Sequence, residues 1–549
     1  MTKTQESWGS RVGLVLAMAG NAVGLGNFLR FPVQAIQNGG GSFMIPYLVC
    51  FLLMGIPLLY VEWAMGRFGG QKGDHSTPFI FNSFDKRKFW KYLGVFGIFT
   101  NIAVAAYYCY LESWALNYAW SSITGAFSGM SADQVSSHFN TYVGLESSGP
   151  IICWIICLLL NTWILSKGLS GGIEIVAKVL MPLLILFGIF LAIMGITLKG
   201  GSQGAIFDGT VGLNFLWTPD FSTIWNPKVW LAAAGQIFFT LSLGMGSIHC
   251  YASYMKKDED IALNAMSAGW MNEFVEVVLG GAIIIPIAVG YLGIEKVVEL
   301  TQSGGLGLGF RVLPFLFEQW GTVLAMICGL FWFGLLFFAG ITSSLAMGTP
   351  FMGFLKDEFN WKRETSAWFF GLVVFVLGLP CVFFFAEGVF DEYDYWAGTV
   401  SLVVFALAEI ILFAWFFGMD KGFEEINRGA DMKIPPVFKF IIKYVTTIFL
   451  LFVFVGSLIN PEGGDWAGSW NSLSSGAGWP LSDGSILGQL MNQGVHRQID
   501  SATDQAVADG LRTKLTYING SRFLLLGLYL AICAMVYVAY QKRLKLSKP

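Results

Sequence analysis

Long apolar segments recur along most of the chain, and short polar stretches separate them. A helix that crosses a bilayer needs about 20 mainly apolar residues. Twelve such segments can be found, with approximate bounds 11–37, 41–67, 89–124, 150–168, 174–199, 226–255, 261–294, 320–356, 364–386, 390–418, 434–458 and 521–541. The pattern predicts an all-α, polytopic membrane protein with twelve transmembrane helices.

Two of these segments are interrupted near their middle by residues that weaken a membrane helix. The first interruption is Gly20–Asn27, with three glycines and two asparagines, and the second is Phe238–Gly246, five spans later. Broken backbone at membrane depth is tolerated only where it lines a cavity or is buried in protein. Breaks at matching positions of two halves point to an inverted-repeat transporter with its binding site between them.

The composition fits a membrane protein and excludes some partners. Only 13% of the 549 residues are charged, about half the share of a soluble protein. The net charge of −3 and the absence of a basic cluster predict no nucleic-acid partner. All eight cysteines lie in or beside apolar segments, as small buried residues do. We expect no cleavable signal peptide before the first span.

The distribution of lysine and arginine predicts the orientation. Basic residues concentrate in the link 68–88, in later links and in the C-terminal tail, whereas the link 125–149 contains none. Such links lie on the cytoplasmic side, so we expect both termini there. The segment 459–520 is then a long extracellular loop, which is either a lid or, as we expect, an inert surface loop.

The ordered motifs around the two breaks resemble those of a known family. They include Gly20–Pro32, Gly39–Phe43, Glu62–Arg67, Gly212–Asp220, Gln236–Gly244, Ala339–Ser344 and Asp391–Asp394. Across residues 8 to about 455 the chain is similar to the neurotransmitter:sodium symporter family, close to its bacterial leucine transporter branch. The resemblance implies a 5+5 inverted repeat with broken helices 1 and 6. Helices 1–5 (residues 1–200) would form the first repeat and helices 6–10 (201–418) the second, and helices 11 and 12 with the long loop would follow in 419–549. It also implies a multi-pass protein of the bacterial inner membrane.

The resemblance implies a zwitterionic amino acid held between the breaks. A half-helix N-terminus suits a carboxylate, and backbone carbonyls suit an ammonium group. No side chain of the implied pocket is charged, which disfavours acidic and basic substrates. The implied substrate-binding residues are Ala22, Leu25, Gly26, Val104, Tyr108, Phe239, Thr240, Ser242, Met245, Ser343 and Met347.

Two sodium ions are implied by the same resemblance, because both sets of oxygen ligands are complete. The first set is Ala22, Asn27, Thr240 and Asn272, together with the substrate carboxylate. The second set is Gly20, Val23, Ala339, Thr342 and Ser343.

Glu276 is the most informative single charge, because a carboxylate inside a membrane helix is costly and marks function. It lies one turn after Asn272, where chloride-dependent members carry a serine. We expect it to replace chloride, surrounded by Tyr47, Gln236, Thr240 and Asn272. A structural ion pair is the alternative.

Gate residues are also implied. Arg30 and Asp394 would form an outer pair over Phe239 and Tyr108. On the inner side Tyr254 and Asp357 match, but Gln5 replaces the expected arginine. Lys3 is a candidate substitute, and a weaker inner gate is the alternative.

Together with the residues described, the resemblance implies a sodium-coupled, chloride-independent symporter of neutral, hydrophobic L-amino acids that works by alternating access. The alternative is an amino-acid receptor of the same fold without net transport. A channel or an enzyme is disfavoured, since no continuous polar pore or catalytic motif is evident. We expect amino acid and lipid as partners and leave a homodimer open.

Overall fold

A computed structural model describes residues 6–301 and 304–546. Within them, ten helices are long and apolar enough to cross a membrane, and the bent pair Arg11–Ala22 and Leu25–Gln37 adds an eleventh. Pro227–Thr240 and Ser247–Ala252, with residues 241–246 between them, occupy the predicted segment 226–255. The described residues contain no strand, so the prediction of an all-α polytopic membrane protein is confirmed.

The spans are numbered in chain order, with the two broken pairs as spans 1 and 6. Spans 2 to 5 are Gly41–Gly70, Trp90–Ile123, Gly149–Ser166 and Leu169–Ile196. Spans 7 to 12 are Ile261–Leu292, Thr322–Phe359, Arg363–Phe383, Val389–Asn427, Val437–Ile459 and Gln505–Leu546. Shorter helices between them are Thr77–Phe84, Ala132–Val143, Gly209–Trp217, Ile294–Thr301, Gly304–Gly307, Leu313–Glu318, Trp466–Ser474, Ile486–Leu490 and Gln493–Ser501.

Burial separates central spans from peripheral ones. The most apolar stretch of span 7 is 89% buried inside the protein, whereas that of span 12 is 22% buried. Span 8 packs along span 3, and span 1 packs against spans 5, 7 and 8. The two broken spans therefore lie within a bundle that shields their exposed backbone from lipid.

The segment after span 11, predicted as an extracellular loop, is more helical than the sequence indicates. Within this segment the helix Gln493–Ser501 ends, and a new helix from Gln505 continues without interruption into span 12. This 42-residue helix is about 60 Å long, roughly twice the hydrocarbon thickness. Hydropathy detects only the apolar part of this helix, so the sequence analysis assigned its first turns, before residue 521, to the loop.

Candidate functional site

The breaks in spans 1 and 6 have different backbone geometry. In span 1, Val23 and Gly24 are extended and the two half-helices meet at 47°. In span 6, Ser242, Gly244 and Gly246 adopt positive φ values of 54°, 70° and 87°. A Cβ on Gly244 would lie 2.2 Å from the Leu402 carbonyl oxygen. Glycine is therefore required where this break presses against span 10.

A cavity of about 30 Å³ lies between the two breaks. Its lining includes nine of the residues predicted to bind substrate: Ala22, Gly26, Val104, Tyr108, Phe239, Ser242, Met245, Ser343 and Met347. Gly398 and Leu402 of span 10 also line it and were not among the predicted residues. They are one helical turn apart in an apolar span, so only the tertiary structure shows that they face this cavity.

The polar end of the cavity is formed by span 1. The Leu25 backbone N–H donates to the Tyr108 hydroxyl at 2.8 Å, and the Ser242 hydroxyl donates to the Asn21 carbonyl at 2.9 Å. Leu25 itself lines the outer cavity described below, and Thr240 does not line the cavity between the breaks. The predicted carboxylate-binding groups Leu25 and Tyr108 are thus neighbours.

Three of the residues predicted to hold the first sodium ion form one buried cluster. The Asn27 amide donates to the Thr240 hydroxyl at 3.1 Å and to the Asn272 amide oxygen at 2.8 Å. Asn272 in turn donates to Thr240 at 2.9 Å. Ala22, the fourth residue, lines the adjoining cavity. Oxygens of this kind suit a hard cation.

The residues predicted for the second sodium ion meet where span 8 crosses the break of span 1. The Ser343 hydroxyl lies 3.1 Å from the Gly20 carbonyl oxygen and 3.2 Å from that of Val23. The Thr342 hydroxyl donates to its own helix, at Phe338 and Ala339. Unwound carbonyls beside hydroxyls are the oxygen donors that sodium sites in broken-helix proteins use, so the residues fit the ion.

Glu276 lies in a π-helical turn of span 7, directly behind the first cluster, and is fully buried. Its carboxylate accepts hydrogen bonds from Tyr47 at 2.9 Å, from Gln236 at 3.0 Å, and from Thr240. A second buried carboxylate, Glu273, accepts from the same Tyr47 hydroxyl at 2.8 Å.

Asn272, which was expected around Glu276, has its contacts with Asn27, Thr240 and Glu273 instead. The sequence analysis singled out Glu276 and missed Glu273. The signal was present as a second acid three residues earlier in the same apolar span.

A larger cavity of about 430 Å³ lies outside the first one and contains both predicted outer-gate residues in its lining. Arg30 lies over the Phe239 ring, 4.5 Å from its centroid, while Asp394 accepts a hydrogen bond from Tyr107 at 2.7 Å. Among the described residues no ion pair joins Arg30 to Asp394. Phe239 and Tyr108 border both cavities and separate them.

At the predicted inner gate, Tyr254 and Asp357 lie near His75. The His75 ring stacks on Tyr254 with centroids 4.3 Å apart, and its backbone N–H donates to Asp357 at 2.9 Å. Burial, reinforced by Lys356, lowers the pKa of His75 to about 4. Gln5 and Lys3, which bear on this gate, lie outside the described residues.

Glu6 supplies a charge at the inner end that the sequence analysis did not identify. It pairs with Arg363 at 2.6 Å and with Lys356 at 3.1 Å, and it accepts the Leu169 backbone N–H at 2.9 Å. Burial raises the pKa of Glu6, but these partners outweigh it and hold the pKa below its ordinary value. The chain before span 1 is therefore tied to spans 5, 8 and 9.

Comparison with known proteins gives consistent results. The profile of the sodium:neurotransmitter symporter family matches residues 5–142 and 131–487. An uncharacterised sodium-dependent transporter of Methanocaldococcus jannaschii is 31% identical over 459 residues, covering 81% of this chain and 89% of the relative. Sodium-dependent nutrient amino acid transporter 1 of Drosophila persimilis is 25% identical, covering 86% of this chain and 79% of the relative.

A solved structure shares the fold. The crystal structure of MhsT in complex with L-phenylalanine superposes with a TM-score of 0.72 at 31% identity. The match covers 82% of this chain and 99% of that chain.

Proposed function

Because the chain belongs to the sodium:neurotransmitter symporter family, we propose that it imports neutral, hydrophobic L-amino acids by sodium-coupled alternating access. Its relatives include sodium-dependent transporters, and its helices make it a multi-pass membrane protein. The observation that carries the proposal is the cavity between the two helix breaks. It is polar at span 1, and its lining contains no charged side chain.

The proposed binding mode uses the opposite ends of the cavity. The substrate carboxylate takes the Leu25 and Gly26 amides and the Tyr108 hydroxyl, where the half-helix N-terminus favours negative charge. The ammonium group takes the Ala22, Phe239 and Thr240 carbonyls and the Ser242 hydroxyl. The apolar side chain then lies against residues from spans 3, 6, 8 and 10: Val104, Met245, Met347 and Leu402.

Two sodium ions and no chloride complete the proposal. Asn27, Thr240, Asn272 and Ala22 would hold one ion, and Gly20, Val23, Ala339, Thr342 and Ser343 the other. Glu276 supplies the negative charge beside the first site, since it touches Thr240 directly. Arg30 and Asp394 would close the outer cavity, and Tyr254 with Asp357 the inner end. We place the protein in a bacterial inner membrane with both termini cytoplasmic.

The decisive experiment measures binding and uptake with the same purified protein. Each of the twenty amino acids is tested for binding in sodium and in choline, and the ligands that bind are tested for uptake into sodium-gradient vesicles. Sodium-dependent binding of leucine, methionine or phenylalanine followed by uphill uptake is expected. Binding without accumulation would identify a receptor instead, and preferred binding of acidic or basic amino acids would contradict the pocket assignment.

A further inference from the structure

A separate group of ionisable side chains lies in the bundle, on the other side of the span 6 break. It consists of Glu62 of span 2, His249 of span 6 and Glu409 of span 10, and we refer to it as the histidine–diacid cluster. All three side chains are fully buried. His249 Nδ1 lies 3.5 Å from Glu62 Oε2, and His249 Nε2 lies 3.5 Å from Glu409 Oε2.

The cluster contains an unusual number of polar atoms without a hydrogen-bond partner. They are Glu62 Oε2, both ring nitrogens of His249 and both carboxylate oxygens of Glu409. The remaining oxygen, Glu62 Oε1, accepts the Gly244 backbone N–H at 2.7 Å. Two carboxylates in an apolar interior are strongly unfavourable unless positive charge accompanies them. The cluster therefore needs a bound proton or a cation.

No other described side chain supplies that charge. The Phe81 and Phe405 rings flank the imidazole, with centroids 6.1 and 5.6 Å away. Charged residues on the helices packed around His249 pair elsewhere. These pairs are Arg67 with Glu425, Arg11 with Asp260 and Asp431, Lys356 with Glu6, and Arg543 with Glu358, while Asp357 accepts the His75 N–H.

We propose that the histidine–diacid cluster is a proton-binding site in which His249 carries a proton on each ring nitrogen, one directed at Glu62 and one at Glu409. The placement of the two carboxylates favours a proton over a metal ion. A metal ion takes one nitrogen of an imidazole, whereas here each nitrogen faces a different carboxylate. A doubly protonated ring offers one N–H to each carboxylate at once.

The bound proton is coupled to the broken backbone of span 6. Glu62 holds the Gly244 amide with one oxygen and faces His249 with the other. Gly244 in turn contacts the Leu402 carbonyl of span 10, the span that carries Glu409. Loss of the proton would leave unbalanced negative charge against this break, so the proton stabilises the contact among spans 2, 6 and 10.

Histidine-labelled NMR of the full chain tests the proposal directly. The chain has four histidines, so ¹⁵N signals of labelled imidazoles can be assigned by substitution. One ring should show both nitrogens protonated at pH 7, and that signal should be lost in His249→Gln. It should persist in His496→Gln, which changes an exposed histidine. A single neutral tautomer at His249 at pH 7 would overturn the proposal.

A second variant keeps the ring observable and removes one charge. In Glu409→Gln the signal of the doubly protonated His249 ring at pH 7 should weaken or be lost, because one of the two carboxylates that face the ring is gone. A signal as strong as that of the wild type would show that Glu409 does not stabilise the proton. Stoichiometric Zn²⁺ binding by the wild type that disappears in His249→Gln, but not in His496→Gln, would identify a metal site and reject the proton.

Discussion

At the scale of single residues, Glu276 and Glu273 present two buried carboxylates that share the Tyr47 hydroxyl, yet only Glu276 touches Thr240. A negative charge directly beside the proposed first sodium ion removes the need for an external anion. We therefore expect equal uptake by the wild type in chloride and in gluconate. Glu276→Ser should make uptake depend on added chloride.

Glu273→Gln is the matched control for that prediction. It neutralises the neighbouring carboxylate while leaving the contact between Glu276 and Thr240 in place, so its uptake should stay independent of chloride. Uptake is measured in proteoliposomes with each anion. A chloride requirement in the wild type, or normal chloride-free uptake by Glu276→Ser, would contradict the role of Glu276.

Met347 lines the inner cavity, and its flexible side chain adapts to different substrates. Met347→Phe places a stiffer ring in the same space, so competition binding should shift toward smaller amino acids, with alanine gaining on tryptophan. Met432→Phe makes the same exchange at a position that is 77% exposed and should leave the ranking unchanged. An identical ranking in both variants would remove Met347 from the pocket.

At the scale of elements, the break in span 6 depends on glycine at position 244. Gly244→Ala introduces a Cβ at positive φ and 2.2 Å from a backbone carbonyl oxygen. Strain of this kind costs about 1–3 kcal/mol, so we expect a lower melting temperature and a loss of substrate binding. Gly235→Ala, in the half-helix that precedes the break and with no atom within 4 Å of its added Cβ, should melt at or above the wild-type temperature. Similar melting of both variants would show that the break tolerates a side chain.

The link between spans 2 and 3 should make stability sensitive to acid. His75 stays neutral in the folded protein down to a pKa of about 4, whereas the unfolded chain binds a proton near pH 6.5. Stability is therefore lost as the pH falls from about 6.5 to 4, by up to about 3 kcal/mol. The melting temperature of His75→Gln should fall less over this range, and an equal slope in both proteins would rule out His75 as the cause.

At the scale of the whole molecule, the two proposed sodium sites determine how steep a substrate gradient the protein can maintain. One cation crossing 100 mV releases about 2.3 kcal/mol, and a tenfold sodium ratio adds about 1.4 kcal/mol. Two ions then sustain roughly a 10⁵-fold substrate ratio, and one ion a few hundred-fold. Sodium and amino-acid fluxes measured together in vesicles should give two sodium ions per substrate.

Thr342→Ala should abolish this coupled uptake, because it removes a hydroxyl from the proposed second sodium site. Thr349→Ala is the control, since that hydroxyl also donates to its own helix, at Ala346 and 2.8 Å, but is absent from both proposed ligand sets. Sodium-independent accumulation by the wild type, or a flux ratio of one, would contradict the assignment of two sites.

The sequence by itself determined the features that depend on local composition. Apolar runs of membrane-crossing length indicated the spans, because a bilayer excludes charge over a fixed thickness. Glycine and asparagine in the first span, and glycine, serine and threonine in the sixth, marked the breaks, because such residues disfavour a continuous helix wherever it packs. The resemblance around these breaks then supplied the candidate binding residues.

Only the tertiary structure decided which distant side chains meet. Gly398 and Leu402 line the inner cavity, and Glu6 pairs with Arg363, because of how span 10 and the N-terminal segment pack. In the sequence, His249 is a single histidine in an apolar span. In the structure, spans 2 and 10 place Glu62 and Glu409 beside its two ring nitrogens. Contacts between spans depend on how each helix is rotated and at what angle it crosses its neighbours. Packing of the whole bundle fixes these angles, and hydropathy does not encode them.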